Sequence, residues 1–311
     1  MSADGPVIVI GAAGIDVKGR PHKPLQMGTS NSGVVRNSVG GVARNIAENL
    51  ARLEVPTILL SAVGQDHGGD LLIAHTSNAG VDVSHVLRLP DVNTGGYVAV
   101  QDEAGQLVVS VSEYDIVSAI SPAYLQQHRA LFAEAALIAI DANLSLKAMS
   151  SVFVWAKRYN VPVCADPTSH ALASKLVKHL PDLHMVAPDA AEAAVLCGQT
   201  VPTTTSDTAI ETAQCLVSLG VKIAIVTLAE QGLAYADGSS AGHVPALHTT
   251  VVDATGAGDA LTAAVIFGLL NEMPLDEAVR LGVSAAALTL RARETVAPDL
   301  SLDRLYDELI V

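Results

Sequence analysis

The sequence predicts an α/β fold in which a mostly parallel sheet is covered by helices on both of its faces. Short apolar runs rich in β-branched residues alternate with longer segments in which apolar residues recur at helical spacing. The short runs are almost continuously apolar, which is typical of strands buried on both faces of a sheet. Strands that alternate with helices pair in parallel, because each helix carries the chain back to the edge where the strand began.

The predicted elements follow one another along the whole chain. Strands are expected at Val7–Gly11, Thr57–Val63, Ala136–Asp141, Val161–Asp166, His184–Ala187 and Lys222–Leu228. Helices are expected at Val42–Arg52, Gly69–Ala79, Leu146–Tyr159, Asp207–Leu219 and Leu261–Leu270. In the first helix, Ile46, Leu50 and Leu53 fall at positions i, i+4 and i+7 and therefore form one apolar face.

Two segments interrupt this alternation. Thr94–Gln101 and Gln106–Ser112 alternate apolar and polar residues around a short turn, which indicates a hairpin with one solvated face. Asp16–Val39 is a connection rich in Gly, Ser and Asn, and a connection of that length is usually functional. We predict that segments of about 16–39 and 93–112 together form a small β-sheet lid over the site. The alternative is a loop beside an unrelated edge hairpin.

Composition limits the classes of protein to consider. The chain has 311 residues, 50% hydrophobic and 16% charged, which is enough for one substantial core, so a single domain over 1–311 is expected. Its 18 basic and 32 acidic side chains give a net charge of −14, which argues against a nucleic acid or an anionic membrane as partner. The chain shows neither a signal segment nor an apolar run of membrane-spanning length, so a cytoplasmic location is predicted.

The cysteines and histidines give no pattern of a transition-metal site. Cys164, Cys197 and Cys215 are far apart in apolar segments, which favours buried free thiols over a disulfide or a zinc site. The ten histidines show no spacing typical of metal ligands.

The segment from Asp253 to Ala260 carries the strongest indication of chemistry. Gly256, Ala257 and Gly258 are small and stand at the start of a predicted helix, where free N–H groups and the helix dipole favour an anion. Asp259 follows directly, and a carboxylate there would repel a phosphate unless it served as a base. The alternative is that Asp259 only stabilises the first turn of its helix.

Two further segments suggest contacts to a ligand. Gly40 and Gly41 allow close approach of the backbone, and Asn45 in the next helix offers both a donor and an acceptor to sugar hydroxyls. A glycine hinge followed by a helix-start Asn is the alternative. Asp16 follows the first strand, at the sheet edge where α/β proteins bind ligands, and the nearby glycines lack the spacing of a dinucleotide site.

Together these motifs resemble the ribokinase-like, or PfkB, carbohydrate kinase family over essentially the whole chain. The resemblance implies a three-layer fold with a central, mostly parallel sheet and a small lid. It implies that Asp259 is the catalytic base and that the backbone of Gly256, Ala257 and Gly258 is the anion hole. It implies that Asp16, Gly40, Gly41 and Asn45 bind the sugar.

The same resemblance suggests where ATP and Mg²⁺ bind. The segment from Thr227 to Gly232 is similar to the family's nucleotide turn, although Ala229 replaces a glycine. The family's Asn-x-x-Glu reads Asp189-Ala-Ala-Glu192 here, so Asp189 is expected to reach Mg²⁺ through water and Glu192 to lie near the metal. Asp253 and Thr255 are expected to hold a monovalent cation such as K⁺, as in many relatives. Gly14 stands where the family commonly has an Asn.

Within the family, the resemblance is closest to the pseudouridine kinases. It rests on the stretch 40–51, on Asn93-Thr94, on Ser121–Leu125 and on Asp141-Ala-Asn143. It implies ATP-dependent phosphorylation of the 5′-hydroxyl of a nucleoside with a C-linked uracil, with Asn143 as a further sugar contact. A small-molecule substrate and a homodimer are expected.

Three alternatives stay open at this point. The chain could be another sugar or nucleoside kinase of the family, of the ribokinase or the uridine or inosine kinase type. It could be a catalytically silent sugar- or nucleotide-binding regulator, since a fold does not determine a function. A nicotinamide-dependent dehydrogenase is a more distant alternative, which binding of a dinucleotide instead of ATP would reveal.

Overall fold

The computed structural model describes residues 5–310 of the chain. Residues 1–4, on which the prediction of no signal segment partly depends, and residue 311 lie outside this range. Within it, none of the helices combines the length and the apolar character needed to cross a membrane.

The strands and helices are numbered in chain order. The strands are β1 Val7–Ile10, β2 Gly14–Pro21, β3 Gly33–Gly40, β4 Thr57–Leu60, β5 Ala62–Gly64, β6 Leu87–Leu89, β7 Gly95–Gln101, β8 Leu107–Glu113, β9 Leu137–Asp141, β10 Val163–Asp166, β11 Met185–Val186, β12 Ile223–Thr227, β13 Leu233–Asp237 and β14 Ala241–Val244. The helices are α1 Val42–Arg52, α2 His67–Asn78, α3 Pro122–Gln127, α4 Arg129–Glu134, α5 Leu146–Tyr159, α6 His170–Ala173, α7 Ala190–Leu196, α8 Ser206–Ser218, α9 Ala257–Leu270, α10 Leu275–Arg291 and α11 Leu302–Ile310.

The predicted α/β fold is confirmed. In the described part of the chain, a central sheet of eight strands runs in the order β14-β13-β12-β11-β10-β9-β1-β4. All neighbours from β12 to β4 are parallel, and β13 and β14 extend the sheet as an antiparallel edge.

Helices cover both faces of this sheet. Ile8 and Ile10 of β1 pack in one apolar core, with Val152 of α5, and the alternate residues Val7 and Val9 pack in another. The second core includes apolar residues of α1 and α9. Because successive side chains of a strand point to opposite faces, this alternation requires a three-layer architecture.

The predicted small sheet is present and draws on both of the interrupting segments. Its order is β3-β2-β7-β8. The connection 16–39, predicted as part of a lid, forms the antiparallel pair β2 and β3, and the predicted hairpin forms β7 and β8. Strand β2 also pairs in parallel with β7, which joins the two segments into one sheet.

Two predicted details were wrong. The expected strand Thr57–Val63 is divided into β4, which pairs with β1, and β5, which pairs with β6 outside the central sheet. The break occurs at Ser61, whose hydroxyl donates to the carbonyl of Gly11 at 2.7 Å. Among the cysteines, all free, only Cys164 is fully buried, and Cys197 and Cys215 are partly exposed.

Candidate functional site

The candidate site lies where the carboxyl ends of β1, β9 and β10 meet the start of α1 and α9. Asp141, the last residue of β9, is fully buried and accepts hydrogen bonds from the backbone N–H groups of Ala12 (2.7 Å), Ala43 (3.1 Å) and Asn143 (2.9 Å). One carboxylate therefore ties together the end of β1, the start of α1 and the loop after β9. This role was not predicted from the sequence, although a charged residue at the end of a buried strand indicates such a position.

The Gly-Ala-Gly segment forms a tight turn into α9. Gly256 stands at the helix N-cap with a φ of 86°, in the left-handed region, and a Cβ added there would lie 1.9 Å from the carbonyl oxygen of Thr295. Only glycine fits this position without strain. A Cβ added at Gly258 would meet nothing within 4 Å, so open space lies beside the first turn of α9, where the N–H of Ala257 donates only a long hydrogen bond of 3.5 Å to the carbonyl of Ala254. An anion can approach the helix start there.

Asp259 lies in the first turn of α9 and is 8% exposed. Its Oδ2 accepts a hydrogen bond of 2.6 Å from the side-chain amide of Asn45. Burial raises the pKa of Asp259 to about 7, while the hydrogen bond from Asn45 acts in the opposite direction. A carboxyl group with a pKa near neutrality can accept and release a proton at physiological pH.

Asn45 belongs to a buried network that centres on Arg44. The Asn45 Oδ1 accepts hydrogen bonds from Nε of Arg44 at 3.2 Å and from the Thr295 hydroxyl at 3.0 Å. Arg44 is fully buried and also forms an ion pair of 2.5 Å with Glu48 one helical turn later. The amide of Asn45 thus connects a buried cation to the carboxylate of Asp259. Of these residues, Asn45 was predicted from the sequence, and Arg44, Glu48 and Thr295 were not.

The network reaches the surface through Glu48. Its Oε1 accepts 2.7 Å and 3.0 Å hydrogen bonds from Arg52, and His75 lies 3.3 Å from its Oε2. Arg52 in turn donates to the carbonyl of Pro298. The two arginines, Arg44 and Arg52, therefore compensate the charge of the buried Glu48, which satisfies the requirement that buried charges be paired.

Asp16, Gly40 and Gly41, three of the residues predicted to bind the sugar, lie close together. Asp16 is 3% exposed, and a Cβ added at Gly40 would lie 2.4 Å from its Oδ1. Gly41 has a φ of 95° and lies against the carbonyl of Ala12. Burial raises the pKa of Asp16 to about 6, although Lys18 and Arg44 oppose this effect.

The oxygens predicted to hold a monovalent metal ion are engaged by a lysine. Lys18, on β2, donates hydrogen bonds of 2.7 Å each to Asp253 Oδ2 and Thr255 Oγ1. The expectation that Asp253 and Thr255 hold K⁺ therefore does not fit this arrangement. Lys18 was missed because its partners lie more than 230 positions away in the sequence.

On the nucleotide side, Asp189 and Glu192 cap the start of α7. The backbone N–H of Asp189 donates to Glu192 Oε2, and the N–H of Glu192 donates to Asp189 Oδ1, each at 2.8 Å. Asp189 also pairs with Thr227, the predicted nucleotide contact at the end of β12. Gly232, at a φ of 92°, closes the following turn by accepting the N–H of Leu228. The four residues thus lie on adjoining segments.

The carboxylates near α7 suit a metal ion that phosphates also ligate. Burial and the neighbouring Asp166 raise the pKa of Glu192 to about 8. Burial, and then the charge of Asp259, raises the pKa of Asp166 well above its ordinary value. In residues 5–310, no group of three or more His, Cys, Asp or Glu side chains could hold a metal ion. Mg²⁺ characteristically takes only one or two carboxylates beside phosphates and waters, so the donor set fits Mg²⁺.

Three comparisons with known proteins bear on this geometry. A family model described as pfkB family carbohydrate kinase matches residues 5–301. The chain is 34% identical over 298 residues to the pseudouridine kinase of Escherichia coli strain K12, which covers 95% of this chain and 94% of that protein. It is 31% identical over 304 residues to the guanosine-inosine kinase of Exiguobacterium acetylicum, covering 96% and 99%.

A solved structure matches the fold. It is that of an E. coli protein named as a candidate ribokinase II, in complex with ATP and Mg²⁺. The TM-score is 0.84 at 20% identity, with 98% of this chain and 99% of that chain covered.

The glycines of the turn provide a first prediction. Gly256→Ala is expected to lower the free energy of unfolding by about 2 kcal/mol or more, because the methyl group meets a backbone carbonyl in a left-handed conformation. Gly258→Ala is the matched control and should keep wild-type stability, since its methyl group enters open space. Urea unfolding measures both. Equal stability of the two variants would contradict the described turn.

A second prediction concerns the cost of the buried Asp259 carboxylate. The pKa of Asp259 is higher in the folded chain than its ordinary value of 3.8, so the ionised form destabilises the fold as pH rises towards about 7. Asp259→Asn lacks this charge. Its gain in melting temperature over the wild type should therefore increase from about pH 5 to about pH 8. A gain that is constant or shrinks with rising pH would refute the assignment of a raised pKa.

Proposed function

The chain belongs to the pfkB family of carbohydrate kinases, and from this premise we propose that it transfers the γ-phosphoryl group of ATP to the 5′-hydroxyl of pseudouridine. As a member of this family it is a phosphotransferase with an alcohol group as acceptor, acting on a small sugar or nucleoside. ATP and Mg²⁺ are the family-level phosphoryl donor and metal. The choice of pseudouridine is supported by 34% identity with a pseudouridine kinase along nearly the whole chain.

One observation carries the proposed mechanism. A buried carboxylate, Asp259, lies in the first turn of a long helix, directly beside a glycine turn with open space above it. The helix start attracts the phosphoryl group, and the carboxylate takes the proton of the attacking hydroxyl. A carboxylate beside a phosphate site repels the phosphate. This arrangement is useful only where a hydroxyl group that must lose its proton attacks the phosphate.

The proposed chemical step uses this pair. The 5′-oxygen attacks the γ-phosphorus while its proton moves to an Asp259 Oδ atom. The bond between the γ-phosphorus and the oxygen that bridges to the β-phosphate breaks, and ADP leaves with that electron pair. The N–H groups at 256–258 stabilise the charge on the transferred group. Asn45 and, through it, Arg44 keep the base oriented and favour its ionised form before attack.

The remaining predicted residues receive proposed roles from their positions. Asp16, Gly40, Gly41 and Asn143 would bind the ribosyl hydroxyls beside the end of β9. The segment Thr227–Gly232 and Asp189 would contact the nucleotide. Mg²⁺, when bound near Glu192 and Asp166, would supply positive charge against the phosphates. The small sheet would serve as the lid of a single kinase domain.

Assembly and location stay proposals as well. A homodimer is proposed, and sedimentation equilibrium tests it. A cytoplasmic location is proposed from the composition.

The second candidate is a purine nucleoside kinase. It is favoured by the 31% identity with a guanosine-inosine kinase over a similar length. A catalytically silent regulator is disfavoured, because the Gly-Ala-Gly-Asp turn is intact and its carboxylate is held in hydrogen-bonded orientation.

The third prediction tests the base. Asp259→Asn should lower kcat by several orders of magnitude while ATP affinity changes little, because the proton acceptor alone is lost. In the wild type, kcat/KM should rise with pH through about 7, as the carboxyl group ionises. Asn45→Ala removes a hydrogen bond that stabilises the ionised form, so this limb should move to higher pH. Steady-state kinetics across the pH range measure all three effects. Near-normal turnover of Asp259→Asn would exclude Asp259 as the base.

The fourth prediction tests the substrate. Pseudouridine presents an N–H where uridine has a C–H, and a site built to bond that group leaves a buried polar partner unpaired with uridine. We expect kcat/KM for pseudouridine to exceed that for uridine by at least about tenfold, or ~1.4 kcal/mol. An ADP-release assay with pseudouridine, uridine, inosine, guanosine and ribose measures the preference. Preference for inosine or guanosine would select the second candidate, and no turnover of any of them would select the regulator.

A further inference from the structure

A lysine of the small sheet is bonded to the turn that precedes the anion hole. The ammonium of Lys18 donates to Asp253 Oδ2 and to Thr255 Oγ1, both at 2.7 Å. The other carboxylate oxygen, Asp253 Oδ1, accepts the backbone N–H of Thr255 at 2.9 Å. The Asp253 carboxylate therefore stabilises the turn by accepting the N–H of Thr255, and Lys18 links the side chains of Asp253 and Thr255. The next residue, Gly256, begins the anion hole.

This ion pair is largely removed from solvent. The side chains of Lys18 and Asp253 are 10% and 15% exposed. Burial by itself would raise the pKa of Asp253, but the hydrogen bonds from Lys18 and from the Thr255 backbone lower it below its ordinary value. A buried ammonium is tolerated only where carboxylates and other acceptors pair with it. The geometry thus satisfies both partners.

A metal ion does not fit beside this ammonium. Lys18 already uses an oxygen of Asp253 and the hydroxyl of Thr255, the two side chains expected to ligate K⁺. A second cation at the same oxygens would be repelled by the ammonium at very short range. An ammonium group and a potassium ion both carry one positive charge and are surrounded by oxygen atoms at comparable distances. An ammonium can therefore stabilise the same oxygens that a potassium ion would.

We infer that the Lys18 ammonium is a built-in monovalent cation, which organises the Asp253–Thr255 turn so that the anion hole assembles without K⁺. The inference rests on the role proposed above for the anion hole, but not on the identity of the nucleoside. The inference also gives the small sheet a structural role, because Lys18 belongs to its strand β2.

The surroundings of Lys18 make the inference testable by substitution. A cavity of about 650 Å³ opens beside it, and its lining includes Lys18 and Asp253 themselves together with Arg20, Arg36 and Arg293. Oxygens freed by removal of the ammonium would be reachable by an ion from this cavity. Lys18→Met, which keeps an unbranched side chain without the charge, should therefore create a K⁺ site.

The test compares the wild type with Lys18→Met in buffers whose only monovalent cation is tetramethylammonium or K⁺. Wild-type melting temperature and phosphoryl transfer should not respond to K⁺. Lys18→Met should lose melting temperature and at least roughly tenfold in kcat without K⁺, ~1.4 kcal/mol in barrier, and regain much of both with K⁺ or Rb⁺. Thallium NMR should detect a bound Tl⁺ ion in Lys18→Met and none in the wild type, independently of activity.

Two further variants make the test specific. Arg20→Met removes the next basic side chain on the same face of β2, and it should acquire neither Tl⁺ binding nor a K⁺ response. Thr255→Val removes one of the two side-chain oxygens that Lys18 contacts. Added to Lys18→Met, it should weaken the K⁺ response that the single variant acquires. The inference would be overturned if K⁺ activated the wild type and thallium NMR detected a Tl⁺ ion bound to it. A Lys18→Met protein that neither binds Tl⁺ nor responds to K⁺ would also overturn it. If the only change in such a protein were a higher KM for ATP, Lys18 would be a phosphate ligand.

Discussion

The arrangement of the site depends on one fully buried cation, the guanidinium of Arg44. Burial lowers its pKa, and Glu48, Asp259 and Asp16 act in the opposite direction. Neither Asp16 nor Asp259 has a direct ion pair with Arg44 among the described residues; the charge reaches Asp259 through the amide of Asn45. This indirect contact orients the carboxylate of Asp259 and lowers its pKa, but less than a direct ion pair would. A direct salt bridge would hold the carboxylate permanently ionised and make it a poor base.

The buried carboxylates explain how an acidic chain can act on polyphosphates. Asp16, Asp141, Asp166, Glu192 and Asp259 all have raised pKa values, and burial is the first cause for each. Their mutual repulsion is relieved locally, by backbone N–H groups at Asp141, by Arg44 near Asp259 and by Lys18 near Asp16. The net charge of −14 counts all of these carboxylates as ionised, so it is not a measure of the potential at the site. A divalent cation bound with the phosphates would add to this compensation.

Sequence reasoning predicted what depends on local pattern and missed what depends on distant contacts. Helices α1 and α5 begin and end as predicted, because their apolar spacing and flanking residues are local. The turn at Gly256 and the segment at Gly40 were found from glycine spacing and family resemblance. The bonds Lys18–Asp253 and Arg44–Thr295 join residues more than 230 positions apart, and no spacing rule reveals them. The antiparallel edge strands β13 and β14 were missed because α/β alternation predicts a helix after β12.

Strand β2 carries Asp16 and Lys18 two positions apart, and side chains at that spacing share a face. On the proposals made above, one strand therefore delivers both the acceptor for a sugar hydroxyl and the cation that shapes the anion hole. If the small sheet were displaced, the turn at 253–255 would lose its ammonium together with the substrate contact. In that arrangement the anion hole would be incompletely organised, and transfer of a phosphoryl group of ATP to water would be disfavoured. On these proposals, the same strand that closes over the substrate also supplies the charge that shapes the turn at 253–255, so exclusion of water and assembly of the anion hole would depend on one element.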